Sequence, residues 1–143
     1  MIFVAESEKE LGQKVWAEIK DRLQNGLRVG LTGDLGVGKT TLVQQIAKYL
    51  LIKDKITSPT FNIRKSYDIK NNKLLCLQHI DLYRIEKPSR VDLSQIKEWL
   101  SEESCLTFIE WINNAPTLKQ GLNLIIEIGM LDKNKRKVKL IWL

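Results

Sequence analysis

The chain has 143 residues, 43% of them hydrophobic and 28% charged, a length and balance suited to a single domain spanning 1–143 with a core of its own. No apolar run approaches the length of a membrane span, and the opening MIFVAESEKE turns acidic too early for a secretion signal. The formal net charge of +6 permits a nucleic-acid or acidic partner without requiring one, and no RNA-binding motif with interleaved aromatics is present.

Ile2–Val4 reads as a short strand, and Ser7 with Glu10 has the spacing of a capping box for the helix that follows. Leu11, Val15, Ile19 and Leu23 line one face of that helix, and Asn25-Gly26 closes it. Leu27–Leu50 then reads LRVGLTGDLGVGKTTLVQQIAKYL: an apolar strand, a glycine-rich loop and an amphipathic helix. The loop fits G-x-x-x-x-G-K-[ST], with Gly33, Gly38, Lys39 and Thr40 at the fixed positions. Its glycines let successive backbone N–H groups turn toward an anion, and the helix that starts near Lys39 adds free amides and the positive end of its dipole. Lys39 brings a full charge to the β- and γ-phosphates of a nucleotide, and the Thr40 hydroxyl is placed to ligate Mg²⁺. The expected phosphate-binding residues are Gly33, Asp34, Leu35, Gly36, Val37, Gly38, Lys39, Thr40 and Thr41.

Beyond a polar turn, Thr57-Ser58-Pro59-Thr60 is excluded from regular helix because Pro59 pushes Ser58 toward extended backbone. Phe61, Ile63, Tyr67 and Ile69 fit an irregular strand, Asn71-Asn72 a turn, and Leu74–Ile80 the partner strand of a hairpin. Val91–Leu100 has helical spacing, and Leu106–Glu110 is an apolar strand ending in an acid. Leu122–Ile128 and Lys135–Trp142 read as two strands joined around Asp132–Asn134. The fold class is therefore α/β, a P-loop NTPase fold with a mixed central sheet flanked by helices and a strand-rich C-terminal half. Lys133, Lys135, Arg136, Lys137 and Lys139 form a basic run in which Val138, Leu140 and Trp142 alternate with charges. That pattern favours a solvated strand face over a contact with a nucleotide base. Cys76 and Cys105 lie far apart in apolar runs, which favours buried free thiols over a disulfide and points to the cytoplasm.

Asp81 and Glu110 each follow an apolar strand, where parallel sheets place their ligands. Mg²⁺ takes oxygen ligands and keeps several waters, so one acid suits the metal and the other suits water orientation. Which acid does which is open on spacing alone. Thr60 has the look of a switch threonine that follows the γ-phosphate. His79, the sole histidine, reads as a packing or hydrogen-bonding residue rather than a base.

GDLGVGKTT at Gly33–Thr41, SPTF at Ser58–Phe61, HIDLYR at His79–Arg84 and FIEW at Phe108–Trp111 occur in an order that resembles the TsaE (YjeE) family. The last three motifs are more specific than the phosphate loop. The resemblance implies a weak ATPase that uses ATP and Mg²⁺ and works on the TsaB–TsaD pair in threonylcarbamoyladenosine formation at position 37 of tRNAs reading codons that begin with A. tRNA is then met through the complex, and neither DNA nor a membrane is an expected partner. By the same resemblance Thr40 and Glu110 ligate Mg²⁺, Asp81 supports hydrolysis, Thr60 is the switch residue and Trp111 fixes Glu110. No cis arginine finger is evident, and Arg64 and Arg84 are the nearest candidates. A small-molecule kinase is the alternative, disfavoured by the absence of an arginine-rich lid segment. A nucleotide-binding scaffold without turnover is a third reading.

Overall fold

The computed structural model describes residues 1–59, 63–70 and 73–143. A seven-stranded sheet in the order β1-β7-β6-β2-β5-β4-β3 forms its centre. Its strands are β1 (Ile2–Ala5), β2 (Leu27–Thr32), β3 (Arg64–Asp68), β4 (Cys76–Asp81), β5 (Cys105–Glu110), β6 (Leu124–Met130) and β7 (Arg136–Trp142). β6, β2, β5 and β4 run parallel, while β3, β7 and β1 add antiparallel edges. The parallel strands are covered on both faces and so read as nearly unbroken apolar runs; every residue of β5 is buried. Between β1 and β6, β7 alternates lysines outward with Val138 and Leu140 inward, so the solvated-face reading of the basic run holds for Lys137 and Lys139.

Helices α1 (Glu8–Ile19) and α2 (Lys39–Tyr49) cover one face. Leu11, Val15, Leu42 and Ile46 pack there with Val29, Leu31, Leu77 and Phe108 of the sheet. α3 (Arg90–Leu100) and the 3₁₀ segments Ile112–Asn114 and Pro116–Gly121 cover the other face, where Ile96, Leu100 and Leu118 join Ile80, Ile109 and Ile125. Leu77 and Phe108 belong to one side and Ile80 and Ile109 to the other, as the period of two in a strand requires. Among the described residues no helix is long and apolar enough to cross a membrane.

Several sequence expectations shift in detail. Ser7 caps α1 by accepting from the Glu10 N–H, but the Glu10 carboxylate accepts from the Glu6 N–H rather than from that of Ser7, so the capping box is displaced by one residue. α1 stops at Ile19 and tightens into 3₁₀ over Lys20–Arg22, and Leu23 still reaches the core. A full capping box that the sequence reading missed starts α3, where Ser89 and Asp92 exchange side-chain-to-backbone bonds. The turn expected at Asn71-Asn72 lies outside the described residues.

The expectation of two free thiols is overturned. Cys76 and Cys105 form a disulfide. The sequence separation of 29 hid the pairing. The parallel register sets Cys76 directly against Cys105, with their Cα atoms 4.6 Å apart, inside the range a disulfide can span.

Buried packing outweighs capping in this fold. Phe108 is fully buried in the middle of the sheet, so Phe108→Ala should cost about 3–5 kcal/mol. Ser89→Ala removes one cap and should cost about 1 kcal/mol. Urea unfolding of both variants beside the parent measures the two losses.

Candidate active site

The loop between β2 and α2 is shaped by two contacts at its ends. Gly33 has φ 145°, and a Cβ there would lie 2.4 Å from the Ile128 carbonyl oxygen of β6. Only glycine fits both constraints. Gly38, at φ 114°, is the N-cap of α2 and supplies no side-chain cap, so the first-turn N–H groups have no acceptor from it. Helix α2 also has no acidic residue in its first turn. Its N-terminus therefore keeps its full attraction for an anion.

Lys39 is buried in this loop. Its Nζ donates to the carbonyls of Gly33 at 2.6 Å and Asp34 at 2.9 Å, and sits 4.3 Å from the centre of the Trp111 ring. Loss of hydration pushes the ammonium below the usual lysine pKa, against the pull of the Glu110, Asp81 and Asp34 charges. Trp111 is presented from the end of β5 with left-handed backbone, φ 60°, and its ring meets Tyr83 at 5.1 Å. The Asn114 amide donates to the Leu82 carbonyl at 2.9 Å, tying the chain after β5 to the chain after β4.

The two strand-end acids are register partners, Asp81 against Glu110. They divide the neighbourhood between them. Glu110 Oε2 accepts from the Thr40 hydroxyl at 2.7 Å and also meets His79 Nε2. Asp81 Oδ2 accepts from the Ser58 hydroxyl at 2.7 Å, and its Oδ1 accepts from the Tyr83 N–H at 2.9 Å. A cleft of about 270 Å³ opens between them, with Lys39, Thr40, Thr41, Tyr83 and Trp111 in its walls.

Most of the residues expected from the sequence meet here. Leu35, Gly36, Gly38, Lys39, Thr40, Thr41, Asp81 and Glu110 line the cleft, while Gly33 and Asp34 supply the carbonyls that hold Lys39. Val37 differs: its side chain is buried and its carbonyl accepts from Arg136 Nε at 2.7 Å. Thr60 and Phe61 lie outside the described residues. Arg64 is engaged elsewhere, donating to Gln78 at 2.6 Å, whereas Arg84 borders an adjoining cleft with Ser58, Pro59 and Asp81. Sequence reasoning gave Ser58, Tyr83 and Arg136 no role at the site. Ser58 and Tyr83 sit inside the quoted motifs and could have been found there; Arg136 carried no local signal.

Among the described residues no cluster of three or more His, Cys, Asp or Glu is placed to hold a metal alone. The Thr40 hydroxyl and the Glu110 carboxylate are instead joined to each other at the cleft, two oxygen donors of the kind that Mg²⁺ takes in general.

The family model described as "Threonylcarbamoyl adenosine biosynthesis protein TsaE" matches residues 5–138. The chain belongs to the TsaE family. The tRNA threonylcarbamoyladenosine biosynthesis protein TsaE of Aquifex aeolicus is 35% identical over 139 residues, covering 96% of this chain and 92% of the relative. The protein of the same name from Nostoc sp. is 32% identical over 142 residues, covering 97% and 83%. Among solved structures, Bacillus subtilis YdiB superposes with a TM-score of 0.71 at 23% identity, covering 98% of this chain and 83% of that one. This last likeness concerns the fold. The sequence resemblance to TsaE thus stands, and with it a family role in threonylcarbamoyladenosine biosynthesis.

The burial of Lys39 has a pH signature. Its proton is held less tightly in the fold than in the unfolded chain, so the unliganded fold gains stability as pH rises toward the ordinary lysine pKa. Thermal unfolding of the parent and Lys39→Met, compared from about pH 8 to about pH 10, should show the parent gaining relative to the variant. A flat difference would mean the ammonium is not desolvated.

Proposed function

We propose that the chain is an ATPase of P-loop NTPase fold whose cycle acts on the TsaB–TsaD pair in forming threonylcarbamoyladenosine at position 37 of tRNAs reading codons that begin with A. The observation that carries the nucleotide part is the Thr40–Glu110 hydrogen bond at the mouth of the glycine loop. It joins the hydroxyl that follows the loop lysine to a strand-end carboxylate, as a phosphate-bound Mg²⁺ requires. The tRNA part rests on family membership. We place the protein in the cytoplasm on that role alone, since the cysteines no longer argue for it.

The loop backbone and the start of α2 receive the phosphates. Lys39 is held by neutral carbonyls that a phosphate oxygen can outcompete, because the ammonium is drawn more strongly to a full negative charge than to a carbonyl dipole. Thr40 and Glu110 hold Mg²⁺, which neutralises charge on the phosphates. Asp81 anchors Ser58 and the backbone at Tyr83, and so holds Ser58 at the cleft. Thr60 follows as the switch residue. Supplying charge beyond Lys39 falls to the partners. No arginine lines this cleft among the described residues, and a completed clamp can raise phosphoryl transfer by about 10³–10⁵. Turnover without partners is therefore slow, and tRNA is reached through the complex.

Phosphate release at fixed Mg²⁺ and salt should rise when TsaB–TsaD is added. Thr60→Ala should lower the stimulated rate more than the basal one. An unchanged rate with demonstrated complex formation would overturn the partner-completed site.

Nucleotide and metal should separate by mutation. Lys39→Met should weaken ATP binding by about a hundredfold in calorimetry. Glu110→Gln should retain ATP but require more Mg²⁺ for half-maximal turnover. Equal Mg²⁺ dependence in Glu110→Gln and parent would transfer the metal role to Asp81.

A further inference from the structure

We propose that His79 is a positioning residue that fixes the Glu110 carboxylate for the metal. The inference rests on the reading of the cleft as an ATP–Mg²⁺ site and adds a residue to it. His79 lies on β4 between Leu77 and Asp81, on the face that carries Phe108 and Glu110 of β5. It is fully buried. Among the described residues the hydrogen-bond partner of its ring is Glu110, reached through Nε2, and Nδ1 is buried without a partner. A ring nitrogen left without a partner is a cost that an apolar side chain would avoid. The neighbouring position on this face, Leu77, is apolar. The Nε2 contact is thus what the imidazole adds over a hydrocarbon of similar size.

That contact has a geometric result. Nε2–H donates to Glu110 Oε2, the same oxygen that accepts from the Thr40 hydroxyl. Two donors from different elements, one on the sheet and one on α2, converge on one carboxylate oxygen. The Glu110 carboxylate is long and rotatable, and Thr40 alone fixes it from a side that itself meets the ligand. His79 fixes it from a paired strand inside the sheet, which does not depend on what occupies the cleft. Oε1 accepts no hydrogen bond among the described residues. It remains the oxygen that would be available to the metal. Groups that orient a ligand in this way typically affect metal affinity by about 10–100-fold.

The test uses Mn²⁺ as the probe, with ADP present, and reads free Mn²⁺ by electron paramagnetic resonance. Gln at position 79 places an amide donor near the place of Nε2, whereas Asn places it near Nδ1, so the two amides separate donor geometry from polarity. His79→Gln should hold Mn²⁺ nearly as the parent does. His79→Asn and His79→Phe should bind it about 10–100-fold more weakly. All should bind ADP equally in the absence of divalent metal. Parental Mn²⁺ affinity in His79→Asn and His79→Phe, or equal loss in His79→Gln and His79→Asn, would overturn the proposal. The two amides decide the matter even where His79→Phe fails to fold. Failure of the parent itself to take up Mn²⁺ with ADP bound would instead overturn the functional reading, and the inference with it.

Discussion

The parallel pairing of β4 with β5 is the constraint on which the site depends. One register runs from Cys76 against Cys105 at one end to Asp81 against Glu110 at the other. Because successive side chains alternate faces, a slip of one residue would send an acid to the α3 side, away from Lys39 and Thr40. The buried hydrophobic pairs between the ends, such as Leu77 with Leu106 and Ile80 with Ile109, hold that register in place. The disulfide closes the end remote from the cleft. Packing in the body of the sheet therefore determines where charge is delivered at its edge.

The second constraint is charge in a place with little water. Lys39 and Glu110 are both buried, and a buried charge is tolerated only with partners. Carbonyls, the Trp111 ring and nearby acids satisfy Lys39; a hydroxyl and an imidazole satisfy Glu110. Lys39 and Glu110 both line the cleft and are not joined to each other by a direct salt bridge among the described residues. The cost of holding the site's charges apart is met when the protein folds rather than when it binds.

What could be read in the sequence follows from the range of the interactions involved. The glycine loop and its flanking strand and helix are local, so the positions of Gly33, Gly38, Lys39 and Thr40 were legible from spacing. Asp81 and Glu110 were legible as strand ends, but their adjacency was not, because strand order is a tertiary property. The same limit concealed the disulfide. It also concealed the bond from Thr40 to Glu110, which spans the chain from α2 to β5. His79 reads from the sequence as a packing or hydrogen-bonding residue; the structure gives it a hydrogen bond whose partner is fixed only by the pairing of β4 and β5. The displaced capping box of α1 shows the opposite case, a local signal whose donor differs by one residue because the backbone just before Ser7 turns toward Glu10.

The basic run at the C-terminus gains a structural meaning that periodicity could not give it. Lys137 and Lys139 face solvent, but Arg136 turns inward and donates to the Val37 carbonyl of the glycine loop. Its Nη1 also donates to the carbonyls of Asp132, Lys133 and Lys135, in the turn that joins β6 to β7. Asp132 stiffens that turn by accepting from the N–H groups of Asn134 and Lys135, which hold its carboxyl below the usual range. Gly33, at the other end of the loop, abuts the Ile128 carbonyl of the same hairpin. The phosphate loop is therefore braced from one side by β6 and β7 while α2 continues it on the other. A glycine-rich segment would otherwise lose much conformational freedom on meeting an anion. The hairpin takes up part of that freedom when the chain folds, so β6 and β7 stiffen the loop from outside the cleft.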